Sequence, residues 1–73
     1  MIPELFEEYF GDEGREATIS IIDKRLSMHM NTYEVLFAMD GEIKGKFVTN
    51  WDEYARVAAT RWVKKGELTD GVK

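Results

Sequence analysis

Two runs of alternating side chains flank Met39-Asp40-Gly41. Tyr33, Val35 and Phe37 interleave with Glu34, Leu36 and Ala38, and Ile43, Gly45 and Phe47 interleave with Lys44, Lys46 and Val48. Alternation of this kind marks a half-buried strand, and an Asp-Gly pair between two such runs is the strongest short-range hairpin signal. Tyr33 to Val48 is therefore expected to be a β-hairpin. A two-residue Asp40-Gly41 turn would set Phe37 opposite Lys44 and Glu34 opposite Phe47, mixing the two faces. A three-residue loop with Gly41 left-handed instead pairs Phe37 with Ile43, Val35 with Gly45 and Tyr33 with Phe47, and sets Glu34 against Lys46 on the other face. The second register is the expected one.

A helix follows the hairpin. Asn50 can accept a bond from the Glu53 N–H while Glu53 reaches back, as in a capping box, and Gly66 is the natural stop after Lys64 and Lys65. At about 100° per residue, Trp51, Tyr54, Ala55, Ala58, Ala59 and Trp62 share one arc, with Glu53, Arg56, Thr60 and Lys64 opposite. That arc should lie on the sheet, and Val57 points away from it beside Arg61.

Upstream, Pro3 suits a first helical turn, and Leu5, Phe6, Tyr9 and Phe10 recur at helical spacing before Gly11. A short first helix is expected there, with a loop over 12–15. Ala17, Ile19 and Ile21 alternate with polar residues and predict a strand. Ile22 breaks that phase, and Leu26, Met28 and Met30 start another, so residues 23–31 are expected to be a loop with some strand extension. The expected fold is α+β, in the order αβββα: a three-stranded antiparallel sheet with the helices packed on one face.

With 73 residues the chain is a single small domain, residues 1–73, and a domain of this size buries a small enough share of its surface to lean on a partner or on self-association. Without cysteine there is no disulfide framework, and a four-ligand zinc site would rest on His29 and carboxylates alone. No run approaches the roughly 20 apolar residues of a membrane helix, and Met1-Ile2-Pro3-Glu4 lacks the pattern of a secretory leader, so a cytoplasmic protein with no membrane partner is expected. The net charge of −4 is unevenly spread: residues 1–16 hold six acids against Arg15, and residues 17–73 are nearly balanced. Neither part carries the dense basic field that drives phosphate binding.

His29 followed four residues later by Tyr33, then Asp40-Gly41-Glu42, Gly45, and Ala55 with Ala58 and Ala59, resemble in their relative spacing the double-stranded-RNA-binding domain, from Leu5 to Val63. In that family a first-helix side chain and a Gly-Pro-x-His loop enter two minor grooves, while lysines opening the last helix hold the phosphates between them. Carried over, the first-helix contact falls on Glu7 or Glu8, and the loop motif on Leu26-Ser27-Met28-His29, where only the histidine is kept. The lysine cluster falls on Asp52-Glu53-Tyr54-Ala55-Arg56, where two bases have become acids. Acids at the phosphate clamp oppose a polyanion. The resemblance therefore implies a dsRBD-like protein-interaction module, a homodimer or a small regulator or inhibitor. Double-stranded RNA binding through His29, Arg56, Arg61, Lys64 and Lys65 is the alternative.

No nucleophile, base and oxyanion site come together in the sequence, so no catalytic residue, small-molecule substrate, cofactor or metal is assigned. A protein interface is expected on the outer sheet face at Leu36, Lys44, Lys46 and Val48, with Val57 nearby.

Overall fold

The alternation at Ala17, Ile19 and Ile21 and at Tyr33, Val35 and Phe37 is the inner face of a sheet, where all these side chains are buried. The computed structural model describes residues 3–24 and 31–69. Along them run β1 (Glu4–Phe10), a 3-10 turn (Asp12–Gly14), β2 (Arg15–Asp23), β3 (Thr32–Met39), β4 (Glu42–Thr49) and α1 (Asp52–Lys65). The strands form one antiparallel meander in the order β1-β2-β3-β4, and α1 lies across one face of it, chiefly over β2 and β3.

The expected αβββα fold is thus corrected to four strands and one C-terminal helix. The segment expected to be a first helix is β1. Its register against β2 shifts between Leu5 and Glu7, so Phe6 is an extra residue that resets the alternation. Leu5 and Phe10 then fall on one face, with Phe6 and Tyr9 packed toward the core. An interrupted period of two mimics helical spacing, and here sheet pairing overrides a glutamate-rich sequence with good helix propensity.

The hairpin register also differs from the expected one. Asp40 (φ 52°) and Gly41 (φ 82°) both adopt left-handed backbone, the signature of a two-residue type I′ turn, and Met39 pairs with Glu42. The mixing of faces that this turn implies is cancelled by a bulge: Ala38 pairs with Ile43 but Phe37 with Gly45, leaving Lys44 as the extra residue. Beyond it Val35 faces Phe47 and Leu36 faces Lys46. The bulge restores the facial separation that a longer loop was expected to supply. Ile22, which broke the alternation in the sequence, sits at a third register shift, between β2 and β3.

The helix begins one residue later than its capping pattern implies. Trp51 is the N-cap and no side chain caps it; its N–H donates to the Thr49 hydroxyl at 3.2 Å. Gly66 ends the helix in left-handed backbone, its N–H donating to the Trp62 carbonyl at 2.8 Å. Ala55, Ala58, Ala59, Trp62 and Val63 form the buried stripe. Trp51 and Tyr54, expected on the inner arc, are 59% and 43% exposed instead. Trp51 precedes the helix, so helical angles do not apply to it, and Tyr54 lies at the edge of the sheet against Phe47 with ring centres 5.3 Å apart.

Trp62 is the main tie between layers. Its indole N–H lies 3.0 Å from both the Glu16 and the Ala38 carbonyls, which belong to paired positions of β2 and β3. A buried indole donor needs such a partner, and here one donor fixes the helix over two strands.

Candidate functional site

Since one helix covers one face, the other face of the sheet carries no layer among the described residues. Strand pairing arranges it in rows. Phe10, Glu16, Ala38 and Ile43 form one; Glu8, Thr18, Leu36 and Lys46 the next; Leu5, Ser20, Glu34 and Val48 the third. Phe10, Ile43, Leu5 and Val48 are exposed, at the two outer strands, and Leu36 is half-buried between them. A sheet ordinarily buries its apolar face against another layer, so apolar side chains on the uncovered side are informative. The charged groups among them are mostly acids, and Lys46 stands 3.8 Å from Glu34.

The five residues expected at a protein interface are divided by the structure. Leu36, Lys46 and Val48 share the uncovered face, and Lys44 is the exposed bulge residue at its margin. Val57 is on the outward face of α1, on the other side of the molecule, and is 43% exposed.

Of the residues proposed for RNA contact, Arg56, Arg61, Lys64 and Lys65 share that outward helix face, lining a shallow cleft of about 360 Å³ with Glu53, Val57 and Thr60. Arg56 is held by other groups: its Nε donates to both Glu7 carboxylate oxygens at 3.1 Å, its Nη1 to Asp52 at 3.0 Å, and its guanidinium stands 5.1 Å from the centre of the Phe6 ring. The bond to Glu7 raises the Arg56 pKa further, so its charge is permanent. Glu7 also accepts the Tyr9 phenol proton at 2.6 Å. Burial, then this bond and the Glu7 charge, push the Tyr9 phenol up to about 12. Glu7 and Arg56 therefore join β1 to α1. Glu8 lies on the uncovered face, and the helix expected to present Glu7 and Glu8 to a groove is a strand. His29, with Leu26, Ser27, Met28 and Met30, lies outside the described residues.

Sequence reading placed no functional weight on Leu5, Phe10 or Ile43. Their exposure follows from β1 being an outer strand and from the β4 bulge, and neither leaves a signal in local periodicity. Among the described residues no three His, Cys, Asp or Glu gather in a metal-binding group, and no helix is long and apolar enough to cross a membrane. Comparison with protein-family models, with curated proteins and with solved structures finds no match to this chain.

Proposed function

We propose that this domain is a non-enzymatic protein-interaction module that receives its partner on the uncovered face of the sheet. The observation that supports the reading is the set of apolar side chains at Leu5, Phe10, Leu36, Ile43 and Val48 on the face that α1 does not cover. Apolar surface left in water costs about 25 cal/mol per Å², which a partner recovers by covering it. The acids and Lys46 between these residues supply orientation rather than affinity.

The test compares three immobilised forms against an extract of source cells: the wild type, the sheet variant Leu36→Lys/Val48→Lys, and the helix variant Arg61→Glu/Lys64→Glu/Lys65→Glu. A partner kept by the wild type and the helix variant and lost by the sheet variant is the expected result. Retention by the sheet variant contradicts the proposal. So does duplex-selective RNA binding at physiological salt, by fluorescence anisotropy, that the helix variant abolishes; that outcome would assign function to Arg61, Lys64 and Lys65.

A further inference from the structure

We infer that the partner is a second copy of this chain, joined strand to strand, with the β4 edge of one copy against the β1 edge of the next. The inference rests on the interaction reading above and places the contact at the two outer strands of that face, where Leu5, Phe10, Ile43 and Val48 stand. β1 and β4 are the two ends of an open sheet, so among the described residues each has one side with no strand beside it. Such edges are templates for another strand, and proteins usually block them with charge. Here the two blocks have opposite sign. β1 carries the exposed Glu8 and Glu4, the latter 3.4 Å from Lys24, while its Glu7 is held by Arg56; β4 presents Lys44 and Lys46 with Glu42 at its start.

Like edges repel: two β1 strands would align glutamates, and two β4 strands would align lysines. Unlike edges match, and the rows of the uncovered face show how. Continuing the antiparallel order from β4 into β1 of the next copy sets Ile43 beside the partner's Phe10 and Val48 beside the partner's Leu5. Lys46, in the same row as Glu8, then meets the partner's Glu8. Each span, Leu5 to Phe10 and Ile43 to Val48, contains one bulge residue, Phe6 and Lys44, so the apolar contacts at both ends and the Lys46–Glu8 pair between them fall on the same face.

Side-chain surroundings at β4 agree. Tyr54 stands edge-on to Phe47, and Trp51 lies 6.0 Å beyond it, so exposed aromatic rings flank this edge on the helix side. An added strand would cover them while Ile43 and Val48 are covered on the other side. The ion pairs that Lys44 makes with Glu42 at 2.9 Å and Lys46 with Glu34 at 3.8 Å are exposed and weakly held, and do not prevent exchange of partners. Because unlike surfaces meet, each added copy leaves a free edge, and assembly grows with concentration rather than stopping at two.

Sedimentation velocity across concentration, at low and high salt, tests this. The wild type is expected to exceed dimer mass reversibly as concentration rises and to lose that mass in high salt, where exposed charges are screened. Lys44→Glu/Lys46→Glu and Glu4→Lys/Glu8→Lys, each folded by circular dichroism, are expected to be monomers alone and to re-associate when mixed, since each supplies the edge the other lacks. The milder Lys46→Gln and Glu8→Gln should each weaken association without disturbing the fold. A wild type monomeric throughout, a dimer that survives in both charge-reversal variants, or a mixture that stays monomeric would overturn the inference. A monomeric wild type that still loses a different protein on Leu36→Lys/Val48→Lys would overturn the self-pairing alone and leave the interaction reading standing.

Discussion

On the covered side of the sheet, Ile19, Val35 and Phe37 are fully shielded beneath Ala55, Ala58, Ala59 and Trp62. One residue away on β2 and β3, Thr18 and Leu36 point the other way, beside Lys46 of β4, with no layer above them among the described residues. Neighbouring residues thus belong to different problems. Those on the helix side are held by close packing, in which a single methylene is felt, while those on the uncovered side leave the fold nearly indifferent and are free to serve recognition. The small alanines of α1 make the contrast sharper, since they bring the helix close to the strands and leave Trp62 as its one large ring in the core.

The comparison breaks first, if it breaks, at Trp62. Trp62→Ala should destabilise the domain by about 3–5 kcal/mol through lost volume alone, and it also strips the Glu16 and Ala38 carbonyls of their shared donor. In a domain this small, urea titration should find the variant largely unfolded. Next comes Gly11, where a Cβ would run into the Val63 backbone carbonyl. Gly11→Ala must push β1 and the end of α1 apart, at a cost of about 1–3 kcal/mol, read as a lower urea midpoint with an unchanged slope.

A smaller effect comes from Tyr9, at the seam between β1 and α1. Its phenol is raised from 10.0 to about 12, so the folded chain holds that proton more tightly than the unfolded one. The stabilisation is complete below about pH 10 and is lost as pH rises through about 12. Wild-type urea midpoints should therefore fall more steeply than those of Tyr9→Phe between these limits. The smallest effect is expected on the uncovered face. Leu36→Lys should change stability by no more than about 0.5 kcal/mol while removing partner binding. A large loss of stability there would mean that the second face also holds the fold.

Much of the covered side is legible in the sequence because its signals are local. The parity of Ala17, Ile19 and Ile21 and of Tyr33, Val35 and Phe37, the place of the hairpin between Phe37 and Ile43 and the Gly66 stop all sit where their residues predict. The failures share one cause. Phe6 and Lys44 are bulge residues, and a bulge changes phase without changing composition, so β1 resembles a helix and the hairpin register differs from the expected one by one residue beside the turn and by two beyond the bulge. Trp51 fails differently, because its place outside the helix depends on where Thr49 ends β4. The uncovered face was partly visible in Leu36, Lys46 and Val48. That Leu5 and Phe10 join it could not be read, since it requires β1 to be a strand rather than a helix.

A photo-crosslinking side chain placed singly at Leu36 and at Val57 distinguishes the two faces, because these sites reach solvent on opposite sides of the molecule. A discrete crosslinked protein is expected from the probe at 36 and none from the probe at 57. Crosslinks from 57 with none from 36 would contradict it, placing the interaction surface on the helix and leaving the uncovered sheet face without a partner.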